Sequence, residues 1–281
     1  MDVDSSFFAQ GDRDSFLEAA IDAAQAGGQV IREGAPTSAQ LAVERKNLND
    51  FVSAIDKGSE RAIIDVLSAR FPSHAFHGEE SGHSGVAEAP EFVWLIDPLD
   101  GTTNFLHGFP HYCVSIALKV GAEIEVGVVF DPLQGRLFTA KRGAGAYLNG
   151  ERIGVSSRSG LTEALICTGL PFTDWSFLDD YLASLRVIMQ RCGGVRRAGA
   201  AALDLAFVAA GWLDGFWEKN LNAWDVGAGS LLVQEAGGAV SDFSGAEGFL
   251  DGGQMIAGPT GVHRELVEVL RGYPAMCAPR R

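Results

Sequence analysis

Three short acid-bearing stretches hold the residues of this sequence that can do chemistry. In WLIDPLDGTTN, residues 94 to 104, Asp97 and Asp100 close an apolar run, and Gly101, Thr102 and Thr103 follow at once. Pro98 cannot continue a regular strand, so both carboxylates can turn toward one point. Carboxylates held that close repel unless a cation lies between them. An all-oxygen donor set selects magnesium, manganese or calcium over zinc. Gly101 lets the backbone approach a ligand, and the amides of Gly101 and Thr102, opening a short helical segment, suit a phosphate group. The same tetrapeptide is equally a capped turn at a helix start, and by itself it leaves both readings open.

HGEESG, residues 77 to 82, puts Glu79 beside Glu80, and NAWDVGAG, residues 222 to 229, puts Asp225 in the first turn of a helix. Singly, the first reads as a solvated loop and the second as an acid favoured by the helix macrodipole. Jointly, three acid-bearing turns, each beside glycine and each at the end of an element, fit one shared cleft. His107 and His111 flank Gly108-Phe109-Pro110. An oxygen-rich magnesium site does not use imidazole, so they read as loop or packing residues.

The elements that must position these residues follow from periodicity. Residues 14 to 33 carry apolar side chains at helical spacing, and a second helix runs from about Asp56 to Arg70, stopped by Phe71-Pro72. KNLNDFVSAID connects the two. From Phe92 the pattern changes to FVWLI, YCVSIALKV, EIEVGVVFD, GRLFTAK and GAYLNG, whose close spacing implies antiparallel hairpins. After about Gly160, strands and helices alternate, which implies layered α/β packing. The expected organisation is an N-terminal α+β domain over 1–155 with the main metal-binding motifs, and a C-terminal α/β domain over 156–281 with substrate-recognition residues and one metal ligand.

Composition narrows the partners. The chain has 281 residues, 47% of them hydrophobic, with a formal net charge of -14, so it can bury a large core and lacks the basic surface that nucleic acid or an anionic membrane demands. A small phosphorylated substrate remains compatible, because a bound cation reverses the charge of an acidic pocket. Cys113, Cys167, Cys192 and Cys277 form no CxxC pair, which suits reduced thiols in the cytoplasm. Neither a signal peptide nor a membrane span is expected.

These stretches resemble the inositol monophosphatase family, within the magnesium-dependent, lithium-sensitive phosphatases. WLIDPLDGTTNFLHGFP and WDVGAGSLLVQEAGG match its two signatures, with GEES upstream, and the likeness runs from about Leu17 to Leu270. It implies an inositol monophosphatase-like αβαβα sandwich. It also implies two or three Mg2+ per site: Glu79, Asp97 and the carbonyl of Leu99 on the first, Asp97, Asp100 and Asp225 on the second, and Glu79 facing a third. Glu80 would support from outside, and Lys46 and Asp56 would stand at the rim. The catalytic group would be Glu79, Thr102 and Asp56, with Asp56 hydrogen-bonded to the Thr102 hydroxyl. Thr102, backed by Asp56 or Glu79, would then take a proton from water that attacks the phosphoryl group in line.

Substrate contacts implied by the resemblance are Asp100, Gly101, Thr102, Gly199, Ala200, Ala201, Glu218 and Asp225. Glu218 would accept hydrogen bonds from neighbouring hydroxyls, which favours myo-inositol 1-phosphate or a similar polyol phosphate. Histidinol phosphate and fructose 1,6-bisphosphate are alternatives with the same metal chemistry, and a catalytically idle regulatory or scaffold protein is an alternative of another class. The chain departs from many relatives at Ala200, where Ser or Thr is common, and at Trp212, where Arg is common. A homodimer is also implied, with Trp175, Phe177 and Leu178 as exposed apolar groups for its interface.

Overall fold

Helices α1 (Gln10–Glu33) and α2 (Arg45–Arg70) pair at the start of the chain. The computed structural model describes residues 10–34, 45–85, 90–171 and 174–278. Alanines at 19, 20, 23 and 24 are fully buried along α1, and their small size lets α2 approach closely; a Cβ on Gly27 would stand 2.8 Å from the Ile63 side chain. α2 begins at Arg45 rather than near Asp56, so the expected connector KNLNDFVSAID is helical. That stretch contains no Pro or Gly to stop a helix once its partner is in place. The side chain of Lys46 lies outside the described residues.

β1 (Ala75–Gly78), β2 (Gly82–Ser84) and β3 (Phe92–Asp100) lead to the short helix α3 (Thr102–Leu106). Then come β4 (Cys113–Val120), β5 (Glu123–Asp131), β6 (Arg136–Lys141), β7 (Gly145–Leu148) and β8 (Glu151–Arg152). These strands form one eight-stranded sheet in the order β2-β1-β3-β4-β5-β6-β7-β8. The run from β3 to β7 is antiparallel, as the hairpin spacing predicts, and β1 joins β3 in parallel.

The second sheet draws on β9 (Leu165–Thr168), β10 (Gly194–Arg196), β11 (Gly215–Lys219), β12 (Ala239–Ser241) and β13 (Gln254–Gly258), ordered β10-β9-β11-β13-β12. The helices between them are α4 (Leu178–Met189), α5 (Ala201–Ala209), α6 (Ala223–Glu235) and α7 (Phe249–Gly252), followed by α8 (Thr260–Leu270) and α9 (Pro274–Cys277).

Three cores hold these layers apart and together. α1 and α2 cover one face of the first sheet through Phe16, Ile31, Ile63, Trp94 and Ile116. The opposite face shares a core with α5, α6 and the second sheet, through Leu95, Ala117, Leu205, Phe216, Val226 and Leu231. α4 and α8 cover the far side of the second sheet, around Tyr181, Trp217, Ile256 and Leu266. The result is an αβαβα sandwich whose middle layer, α5 and α6, is apolar all round because it is buried on both sides. Among the described residues no helix is long and apolar enough to cross a membrane, and all four cysteines are free.

α6 lies flat on β5 because Gly127 offers no side chain: a Cβ there would stand 2.8 Å from the Ala228 carbonyl oxygen and 3.1 Å from its Cα. Backbone cannot give way as a side-chain tip can. Gly127→Ala is therefore expected to cost about 1–3 kcal/mol by overpacking, read as a lowered urea midpoint; an unchanged midpoint would show that α6 is not seated this tightly.

Candidate functional site

The end of β3 is shaped by a bulge. Asp97 pairs with Ser115 and Asp100 with Cys113, so the strand advances three residues where β4 advances two, and Pro98 sits in the extra step without an N–H to lose. Ser59 of α2 donates to the Pro98 carbonyl at 2.9 Å. Asp97 Oδ1 accepts from Leu99 N at 3.0 Å, which fixes its rotamer. Asp100 Oδ2 accepts from Ala202 N at 2.7 Å, in the first turn of α5. Asp225 Oδ2 accepts from Asn222 N at 2.6 Å in a capping box at the start of α6. Two helix N-termini of the middle layer thus aim at the end of β3, where negative charge is favoured.

Glu79 comes from the turn after β1, held by its own N–H to the Ile96 carbonyl at 3.1 Å and by Glu80 N to Glu60 Oε2 at 3.0 Å. Burial, and then Asp225, raise the Glu79 carboxyl to about 7 although it keeps an exposed edge at the pocket mouth. Burial, and then Asp225, raise Asp100 to about 8. Burial, and then Glu79, lift Asp97 well above the carboxylate range. Two carboxyls confined together cannot both ionise freely, so Glu79 contributes to raising Asp97. Among the described residues no three of these side chains converge as a finished metal cage. The donor set nevertheless matches a hard divalent cation in kind: confined carboxylates and a backbone carbonyl, whose mutual repulsion a cation would relieve.

A cavity of about 510 Å³ opens above the acids, lined by Glu79, Asp97, Leu99, Asp100, Gly101, Thr102, Gly199, Ala201, Glu218 and Asp225. Gly101 is left-handed, with φ 92°, and a Cβ there would stand 2.9 Å from the His111 carbonyl oxygen; only glycine serves. Asn104, buried beneath this turn, donates through Nδ2 to the carbonyls of His111 at 2.7 Å and Ala198 at 2.9 Å. It ties the turn after β3 to the turn before α5.

Two expected residues stand elsewhere. Ala200 is 1% exposed, does not line the cavity and packs its Cβ toward Gly101. Asp56 stands on α2 behind the acids, raised to about 7 by burial and then by Glu80, Glu79 and Glu60. The Thr102 hydroxyl donates to the Leu99 carbonyl at 3.1 Å rather than to Asp56, because Leu99 lies one turn back on the same short segment. Phe177 is 3% exposed and lines the pocket, so it is not a surface aromatic; Trp175 is 60% exposed. Trp212 is exposed and stacks edgewise on Phe138, with Arg136 over its ring.

Sequence reasoning passed over Arg197, which lines the cavity, and over Ser59 and Glu60, which anchor the motif loops from α2. The last two were signalled by sharing a helical face with Asp56 and Ile63. Arg197 carried no signal beyond its place next to Gly199.

A layered αβαβα fold with an acidic cleft fed by both sheets defines the structural class. The chain belongs to the inositol monophosphatase family, whose sequence model matches residues 12–274. It is 46% identical over 260 residues to the Nus factor SuhB of Pseudomonas aeruginosa, covering 92% of this chain and 96% of that relative. The solved structure of the extragenic suppressor protein suhB from Bartonella henselae is similar with a TM-score of 0.81 and 39% identity, over 92% of this chain and 99% of that one. Inositol monophosphatase from Anabaena sp. PCC 7120 is similar with a TM-score of 0.80 and 35% identity, over 94% and 98%.

The raised carboxyls make stability depend on pH. Their folded values, about 7 for Asp56 and about 8 for Asp100, exceed the roughly 4 of an unfolded chain. The folded state therefore binds more protons between these limits, and its advantage is lost as pH rises through 7 to 8. His74, which accepts from Trp94 Nε1 at 3.1 Å and is pushed by burial to about 4, acts in the opposite sense but only below about 6.5. In chelator, raising the pH from 6.5 to 8 is expected to cost on the order of 1 kcal/mol, with exposed Glu79 discounted for screening. Urea midpoints at the two values check this, and a midpoint that rises would contradict it.

Proposed function

We propose that this chain is a magnesium-dependent phosphomonoesterase that hydrolyses myo-inositol 1-phosphate or a similar polyol phosphate to the alcohol and phosphate. The carrying observation is that Glu79, Asp97, Asp100 and Asp225 line one cavity with Glu218, with burial and mutual repulsion raising the carboxyls. Family membership supports the reading.

In this reading Glu79, Asp97, the Leu99 carbonyl, Asp100 and Asp225 hold two or three magnesium ions. Bound magnesium supplies Lewis acidity, neutralising phosphoryl charge and making water a better nucleophile at neutral pH. The amides of Gly101 and Thr102 orient the phosphate. The Glu79 carboxylate would receive the proton of the attacking water, which the Thr102 hydroxyl, its own proton donated to the Leu99 carbonyl, would orient through its oxygen; Asp56, with its carboxyl near 7, stands behind them. Glu218, Gly199 and Ala201 bind the leaving alcohol. Residues 1–155 would form the metal-binding domain and 156–281 the substrate-recognising one, in a cytoplasmic homodimer inhibited by lithium.

A second reading rests on relatives named Nus factors at 42–46% identity. It gives the chain a regulatory role in a protein assembly, with or without turnover. Phosphate release from polyol, histidinol and sugar phosphates, measured across magnesium concentrations with and without lithium, separates the two: release from none favours the regulatory role.

Asp97 joins both expected magnesium positions, so Asp97→Asn is expected to lower kcat by about a thousandfold or more while the circular dichroism spectrum and Tm stay near wild type. Near-normal magnesium-dependent turnover by that variant would sink the scheme.

A further inference from the structure

The cavity that holds Glu79, Asp97, Asp100 and Asp225 is also lined by two side chains of opposite charge, Glu218 and Arg197, each seated on a glycine. Glu218 of β11 folds its carboxylate over Gly169, just past β9, where a methyl group would overlap it. Arg197 reaches over Gly199: a Cβ on that glycine would stand 2.5 Å from Arg197 Nη1, and its φ of 93° reserves the position for glycine. Both side chains line the same cavity.

The two cations of the cavity wall are differently employed. Lys219 is committed to the protein: its Nζ donates to the Met276 carbonyl at 3.0 Å and lies 5.4 Å from the centroid of the Phe177 ring. Arg197 is exposed and, among the described residues, makes no hydrogen bond or ion pair with a side chain or carbonyl of the pocket. Its charge is felt across the gap by Glu218 and Tyr181. A guanidinium presents N–H donors in a fixed fork that matches carboxylate or phosphate oxygens two at a time. A neutral polyol would leave that fork to water, whereas an anion in a pocket of five acids needs it.

We propose that Arg197 sets which alcohol this site accepts: with Glu218 opposite, it selects a polyol phosphate whose leaving alcohol carries an acidic substituent beside its hydroxyls. The proposal rests on the phosphatase reading and, among polyol phosphates, ranks esters of acidic alcohols above esters of neutral ones such as myo-inositol. The Glu218 carboxylate takes the hydroxyls; the Arg197 guanidinium takes the acidic group. If Arg197 merely balanced the charge of Glu218, its loss would weaken all alcohols alike.

The test uses a matched pair of esters, 6-phosphogluconate and glucitol 6-phosphate, which differ only in a carboxylate against a hydroxymethyl group, with p-nitrophenyl phosphate as reference. kcat and KM are measured at saturating magnesium for the full chain and for Arg197→Ala and Arg197→Lys, after their Tm values are shown to match. The wild type is expected to favour 6-phosphogluconate. Arg197→Ala should lower kcat/KM for that ester about tenfold to hundredfold more than for glucitol 6-phosphate, the range of one charge-assisted hydrogen-bonding group. The loss should fall mainly on KM, and Arg197→Lys should recover part of it. Hydrolysis of the pair without preference, or an equal loss on both esters, overturns this inference alone. Release from none of the esters by the wild type overturns the phosphatase reading and this inference with it.

Discussion

Confinement of like charge is the constraint on which the rest of this structure depends. Glu79, Asp97, Asp100 and Asp225 come from a turn, a strand end and a helix start, and bringing them to one cavity costs both desolvation and mutual repulsion. The fold offsets that cost with backbone N–H groups: Leu99 for Asp97, Ala202 for Asp100 and Asn222 for Asp225. Two of these donors belong to the N-terminal ends of α5 and α6. The middle helical layer is therefore more than filling between sheets, because it turns its positive ends toward the bulged end of β3.

The same constraint explains how firmly the two halves are joined. A site built from both sheets works only if their register is fixed. Asn104 donates across to the Ala198 carbonyl, Ser115 donates to the Trp224 carbonyl at 3.0 Å, and His111 meets Asp204 at 2.9 Å in the buried core. The close approach of Gly127 to Ala228 seats α6 against β5 at that point. Sliding one sheet against the other would break these bonds together.

Much of this was legible in the sequence because hydrophobic periodicity and turn residues are local signals. The hairpins from β3 to β7 and the alternation from β9 to α8 follow from them, as do the three acid turns. The parallel strand β1 was not legible: four residues, Ala75 to Gly78, carry too short a pattern, and their pairing with β3 is non-local. The helical start of α2 was hidden because KNLNDF lacks an apolar stripe although nothing in it breaks a helix. Ala200 and Phe177 show a different limit. Sequence places each beside site residues, yet which way a side chain turns depends on packing with Gly101 in one case and with the core around Tyr181 in the other. Arg197 needed the cavity itself, since Glu218, which lines the same cavity, is distant in the chain.

Calorimetric titration of the chelator-stripped protein with magnesium, repeated at pH 6.5 in buffers of different ionisation enthalpy, tests the central claim that the four acids form a divalent-cation site. Carboxyls at about 7 and about 8 hold protons under these conditions, so binding should release about one proton or more per chain, and Asp97→Asn should weaken both binding and release. Absence of magnesium binding, or binding that is indifferent to Asp97 and releases no proton, would contradict it.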